Sequence, residues 1–104
     1  MPRRRPGKLE DVLGLARRCV AEDRYHDSRH SRERRVERQV TIQEVKLVIN
    51  AGWREEARDE YRPEYASWSY VIRGKTVDGR GLRLVVSFDE QRWMLLITAV
   101  DLDR

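Results

Sequence analysis

The sequence divides at Gly52. Before it, apolar residues recur at intervals of three and four: Leu9, Val12, Leu13, Ala16, Cys19 and Val20, then Ile42, Val45, Val48 and Ile49. After it they alternate: Trp68, Tyr70 and Ile72, then Leu82, Leu84, Val86 and Phe88, then Met94, Leu96, Thr98, Val100 and Leu102. The first spacing gathers apolar side chains on one side of a helix, and the second puts them on one face of a strand. Helices followed by strands, rather than the two interleaved, predict an α+β fold. The expected architecture is N-terminal helices packed on a three- to four-stranded antiparallel sheet.

Local signals punctuate this pattern. Thr41-Ile42-Gln43-Glu44 reads as a capping box opening a helix, and Gly52 is placed to stop that helix in a left-handed turn. Asp78-Gly79 predicts a hairpin, which Arg80-Gly81 extends or bulges. Asp89-Glu90-Gln91-Arg92 predicts the second turn, and a weaker strand is expected over about Trp53 to Arg58, ahead of Pro63. Residues 1–8, with two prolines and a glycine, read as a flexible basic arm. Residues 9–104 then form one domain, a size that gives an adequate but modest core.

Composition narrows the function. The net charge of +4 comes from the arm, because Arg3, Arg4, Arg5 and Lys8 precede any acid and the remaining 18 basic residues balance 18 acidic ones. A positive surface on the domain must therefore be made by local arrangement. From Arg24 to Arg38 there are six arginines against Asp27, Glu33 and Glu37, whereas from Arg54 to Glu64 acids outnumber arginines. That asymmetry favours an anionic partner at the helical region, nucleic acid first. No apolar run approaches the roughly 18 residues of a membrane span, and no apolar stretch follows the basic start as a secretory signal requires. Cys19, the single cysteine, reads as a core thiol, and no cofactor or metal cluster is signalled. A reducing cytoplasm fits these features.

The functional signal lies between Ser28 and Gln39. At about 100° per residue, a helix stacks His30, Arg34, Glu37 and Arg38 on one stripe. An imidazole that titrates near neutrality, a carboxylate and two fixed cations are the groups that handle a phosphate. The alternative is an exposed helix whose like-charged Arg34–Arg38 pair is neutralised by neighbouring acids. On the predicted sheet, Arg73 and Lys75 share one face of their strand and Arg83 takes the matching face of the next. That face is available to RNA if the helices cover only the other. Trp68 and Tyr70 read as core residues rather than stacking platforms, and His26 as a surface residue. Thr98, polar in an apolar strand, is either a satisfied hydroxyl or a substrate hydrogen-bonder.

Residues His30 to Thr41 resemble a bacterial domain family of unassigned function with the signature His-Ala-x-x-Arg-Met-x-Glu-Arg-Gly-Ile-Ser. His30, Arg34, Glu37 and Arg38 match it, and Val40 and Thr41 replace its Ile-Ser conservatively. Downstream, Gly52, Tyr70, Gly74, Gly79, Leu82, Val85-Val86 and Ile97-Thr98 fall at corresponding positions, so the resemblance covers about residues 24–100. Ser31 and Arg35 stand where the family has alanine and methionine, which removes apolar anchoring from the helix. Gln39 stands for a glycine in a left-handed turn, at a cost of roughly 1 kcal/mol. The family is grouped with the barnase, EndoU, colicin and RelE-like ribonuclease fold. The resemblance therefore implies a RelE/barnase-like, metal-independent endoribonuclease of a toxin–antitoxin pair, with RNA as substrate and a cognate antitoxin as partner, in some loci a small zinc-binding protein. On that activity, side-chain chemistry and placement have Arg34 and Arg38 hold phosphate, His30 and Glu37 manage protons with Thr98 beside them, and Arg73, Lys75 and Arg83 bind RNA. The rival readings are a non-catalytic nucleic-acid- or protein-binding module of the same shape and a regulatory protein that docks an acidic surface.

Overall fold

The computed structural model describes residues 5–103, so the first four residues of the arm and Arg104 lie outside it. The elements run α1 (Val12–Ala21), β1 (Tyr25–Asp27), α2 (Arg29–Glu37), α3 (Ile42–Ala51), β2 (Trp53–Arg54), β3 (Glu60–Arg62), β4 (Ser67–Lys75), β5 (Gly81–Phe88) and β6 (Met94–Asp101). The chain is α+β, with three helices and a mixed six-stranded sheet. Its strand order is β1-β6-β5-β4-β2, and β3 pairs separately with β4.

The alternation after Gly52 produces the central three strands. Antiparallel register sets Tyr70 beside Val86 and Ile72 beside Leu84, and then Leu84 beside Ala99. These residues face one way and are buried with Val12, Ala16, Cys19 and Val20 of α1 and Val45, Val48 and Ile49 of α3. The sheet is larger and less uniform than the expected three or four antiparallel strands. β1 is parallel to β6, with Tyr25 opposite Met94. The strand expected over about Trp53 to Arg58 is only Trp53–Arg54, followed by a 3₁₀ turn over Glu56–Arg58. Strands of two and three residues are too short to show alternation, which is why periodicity does not register β1, β2 or β3.

The capping box forms: the Glu44 N–H donates to Thr41 Oγ1 at 3.1 Å and the Thr41 N–H donates to Glu44 Oε1 at 3.0 Å. Gly52 ends α3 differently from expectation. Its φ of −87° and ψ of −165° are extended, not left-handed. Glycine is needed there for space, since a Cβ would lie 2.3 Å from the carbonyl oxygens of both Arg73 and Val48. Gln39 does take the left-handed conformation, at φ 56°, and Gly79 turns the β4–β5 hairpin at φ 84°.

The seating of α2 is polar. Its two buried side chains are Ser31 and Arg35, the positions where the sequence lacks apolar anchors. Arg35 forms an ion pair with Asp27 at the end of β1, both largely buried, and donates from Nη1 to the Val40 carbonyl at 3.1 Å. Three further buried atoms there, Asp27 Oδ1, Ser31 Oγ and Arg35 Nε, have no hydrogen-bond partner. A buried pair of this kind adds little net stability, but losing one member leaves an uncompensated charge. The described part of the arm lies against the sheet: Trp68 Nε1 donates to the Pro6 carbonyl at 2.7 Å, Lys8 pairs with Asp59 at 3.1 Å, and the Leu9 N–H donates to the Tyr70 hydroxyl at 2.9 Å.

Two expectations follow for stability. Arg35→Met should lower the unfolding free energy by about 3–5 kcal/mol, and Asp27→Leu/Arg35→Met should restore most of it, as read from urea midpoints of the three proteins; equal losses in the single and double variants would show that the pair does not seat α2. Gly52→Ala should cost about 1–3 kcal/mol by forcing α3 away from β4, measured in the same way.

Candidate functional site

The sheet has two unlike faces, and the second collects the polar residues. α1 and α3 cover the face carrying Leu82, Leu84 and Val86. The other face carries Ser69, Val71, Arg73 and Lys75 of β4, Val85, Arg83 and Ser87 of β5, and Leu95, Thr98 and Val100 of β6, according to the pairing register. A register shift between Val85 and Val86 makes Ile97 an extra residue, so that Thr98 rather than Ile97 sits opposite Val85. The bulge thus re-aims the late threonine toward this face.

α2 lies along β6, and its stripe forms one flank of the helix rather than its outer crest. Arg38, just past the last turn, donates from Nη1 to the Ala99 carbonyl at 2.9 Å and reaches Thr98 Oγ1 at 3.5 Å. Arg38 and Thr98 are therefore brought together. His30 and Arg34 are exposed on the same flank. Glu37, about 20° from His30 around the helix but two turns further along it, is exposed with Arg32, Glu33 and Val36 around a shallow depression on the outer side of α2.

Across the sheet, Arg73 and Arg83 are directly opposed in the β4–β5 ladder, a like-charged arrangement that is unfavourable by itself. Glu55, between β2 and the following 3₁₀ turn, relieves it. Arg83 Nε donates to Glu55 Oε1 at 2.8 Å and Nη2 to Oε2 at 3.3 Å, with Arg58 at 3.3 Å and Arg73 at 3.8 Å from the same carboxylate. The Arg83 guanidinium holds the Glu55 carboxyl below the usual carboxylate range, so it is ionised at neutral pH. Two of the three expected RNA-binding cations thus share a counter-ion, while Lys75 is exposed at the strand end.

A cavity of roughly 530 Å³ opens on this face at the N-terminus of α2. His30 lines it, together with Arg62, Glu64, Tyr65, three serines of β4 and β5, and Leu95. The carboxylates that share a cavity with His30 are those of Glu64 and Asp89. Asp89 is engaged in its own turn, accepting from the Trp93 N–H at 2.9 Å. Glu55, Glu64 and Asp27 carry no sequence signal of their own. The acidic excess from Arg54 to Glu64 was visible, but not that it folds over the basic sheet face.

The remaining titratable groups fall outside this site. Cys19 is buried, its thiol donating to the Arg92 carbonyl at 3.1 Å, and burial pushes its pKa up. His26 is exposed and stacks on Trp93 with ring centroids 5.0 Å apart. Tyr70 is core, whereas Trp68 is half-buried beneath the arm. Among the described residues, no three His, Cys, Asp or Glu side chains cluster as a metal site would require, and no helix is long and apolar enough to cross a membrane.

Comparison with known proteins gives a family but no precedent for activity. Neither the curated proteins nor the solved structures contain a match. The family described as Domain of unknown function (DUF4258) matches residues 28–101, from the N-cap of α2 through the end of β6, and so takes in both flanks of the open sheet face. The chain belongs to the DUF4258 family.

Proposed function

We propose that the protein is a cytoplasmic, toxin-type endoribonuclease of RelE/barnase-like kind that binds single-stranded RNA across the open sheet face and cleaves it without a metal ion. The observation that carries this reading is the contact between Arg38 of α2 and Thr98 of β6. It joins the basic helix flank to a sheet face that also bears Arg73, Lys75 and Arg83. RNA binding by a sheet face needs cations for the backbone and room for splayed bases. The cations Arg38, Arg73, Lys75 and Arg83 lie on one side of this molecule, where Ser69 and Val71 are buried and the cavity beside His30 supplies the room.

Cleavage proceeds by attack of a ribose 2′-oxygen on the adjacent phosphorus. A base removes the 2′ proton, the P–O5′ bond breaks to leave a 2′,3′-cyclic phosphate, and an acid returns a proton to the departing 5′-oxygen. Arg34 and Arg38 hold the phosphorane oxygens, for which a planar fork is better suited than an ammonium. His30 transfers one of the protons. The sequence offers Glu37 for the other, but Glu64 lines the same cavity as His30 and Glu37 does not, which favours Glu64. Glu55 sets the binding threshold, because RNA phosphates must compete with it for Arg83 and Arg73.

A second reading, a non-catalytic binding module neutralised by or serving a protein partner, is favoured by Val36. This residue is 74% exposed between Arg32, Glu33 and Glu37 on the outer side of α2, a contact suited to a cognate antitoxin.

In a single-stranded RNA cleavage assay, His30→Ala should lower the rate by about 100-fold or more with RNA affinity retained. Glu64→Gln should do the same while Glu37→Gln should not. No cleavage by the wild type, with RNA affinity unchanged in His30→Ala and weakened in Arg34→Ala and Arg38→Ala, would leave only the binding module. Glu55→Gln should tighten RNA binding, whereas Arg38→Ala should weaken it and reduce the slope of log affinity against log salt by about 0.7, the value for one phosphate contact on a single strand. Filter binding at several salt concentrations measures both.

A further inference from the structure

The cavity beside His30 is larger than proton transfer needs, and its lining does not resemble a phosphate site. Its volume, roughly 530 Å³, lies within the range of about 300–1,000 Å³ usual for small-molecule sites. Two of the few large apolar side chains left open to solvent among the described residues line it: Tyr65, 76% exposed, and Leu95, 38% exposed. Tyr65 belongs to a short 3₁₀ turn over Pro63–Tyr65 and contributes nothing to the core. An aromatic ring held out at the rim of an apolar-walled cavity is suited to stacking.

The polar lining is equally selective. Ser67 and Ser87 share a hydrogen bond of 3.1 Å, Ser87 donates to the Trp68 carbonyl at 3.0 Å, and Ser69 donates to the Glu60 carbonyl at 3.2 Å. With the Ser87 proton given to Trp68, the proton between the two serines must come from Ser67. Each hydroxyl has spent its one proton and presents only lone pairs to the cavity. Arg62 lines the cavity with its Nε donating to Ser69 Oγ at 3.4 Å and its Nη2 3.7 Å from Glu60, so a ligand acceptor shares the guanidinium with both. A ligand for this lining is flat, presents N–H donors to the serines and offers an acceptor to the guanidinium. A nucleobase edge combines all three, whereas phosphate offers only the acceptor and neither the flat face nor the N–H donors.

We propose that this cavity is a nucleobase subsite, in which an unstacked base lies against Tyr65 and Leu95 with its polar edge toward Ser67, Ser69, Ser87 and Arg62. As a subsite for substrate it rests on the ribonuclease reading, since it would position the nucleotide whose phosphate meets His30. As a binding site for a base it does not. The ligand chemistry is shared by free nucleotides and by RNA, and the two sources can be told apart.

The experiment is a titration of the full chain with guanosine, adenosine, cytidine and uridine 5′-monophosphates, and separately with inorganic phosphate, followed by amide chemical shifts. Wild type and Tyr65→Ala are compared, the latter altering an exposed side chain outside the core. At least one nucleotide should shift the amides of Ser69, Ser87 and Leu95, phosphate alone should not, and Tyr65→Ala should weaken that binding about ten-fold or more, as expected from losing one stacked base. Ser87→Leu, which fills the cavity, should abolish it. Nucleotides no better than inorganic phosphate, or affinity unchanged in Tyr65→Ala, would overturn the subsite. RNA cleavage that requires His30, without nucleotide binding, would sink the subsite and leave the nuclease. Nucleotide binding without RNA cleavage would establish a base-binding site and remove its role in catalysis. If RNA is the source, Tyr65→Ala must also change which nucleotides flank the cleaved bond.

Discussion

The geometry of the site depends on one ion pair. Arg35 and Asp27 tie α2 to the end of β1, and because the residues of α2 turn by about 100° each, fixing Arg35 inward fixes the direction of every other side chain on the helix. Arg38 and Arg34 come to lie on the flank beside the sheet, whereas His30 and Glu37, about 140° and 160° from Arg35 by the same rule, point further outward, His30 from the first turn, where the cavity opens. An apolar anchor would hold the helix by area alone and tolerate a few degrees of roll. A charged pair with a hydrogen bond to the Val40 carbonyl has a narrower optimum, so it trades stability for orientation. Polar burial of this sort is found where position matters more than strength, as in register-setting residues of helical interfaces.

The same constraint accounts for the polar seating of α2. Ser31 and Arg35 are its two buried positions. A lone arginine there would be untenable. Asp27, one position ahead of the N-cap Ser28, supplies the compensating charge. The turn after the helix shows the opposite case: Gln39 adopts the left-handed conformation without glycine's freedom, at a cost of roughly 1 kcal/mol.

What was legible in the sequence was whatever repeats or carries its own local chemistry. Helices α1 and α3, the capping box at Thr41, and the three long strands follow from spacing and caps. Of the short strands only β2 was anticipated, and over too long a range, because a pairing of two or three residues is decided by neighbours distant in the chain: β1 exists because β6 is beside it, and β3 because β4 is. The role of Gly52 was misread for the same reason, since its constraint is the Arg73 carbonyl rather than its own φ. The stripe on α2 was legible as a set of residues, and Arg38 with Thr98 was brought together. Which edge of the stripe faces the sheet could not be read, as it is set by a buried arginine that a hydropathy pattern assigns to solvent.

Charge is distributed by the same tertiary logic. Read linearly, the segment from Arg54 to Glu64 is acidic and the sheet strands are basic, which suggests two surfaces of opposite sign. Folded, the acidic segment lies along β4, so that Glu55 meets Arg58, Arg73 and Arg83 and Asp59 meets Arg54 and Lys8. The open face is therefore not a uniformly positive plate. It is a groove with compensated charge on the β4 side and a basic helix flank on the β6 side, with an apolar cavity at one end. Under the proposed ribonuclease reading, a bound strand would follow the α2 flank with its phosphates, and any extension toward β4 would have to displace the Glu55 carboxylate from Arg73 and Arg83. A duplex, whose evenly spaced charges would meet both signs, would be the poorer ligand for such a face.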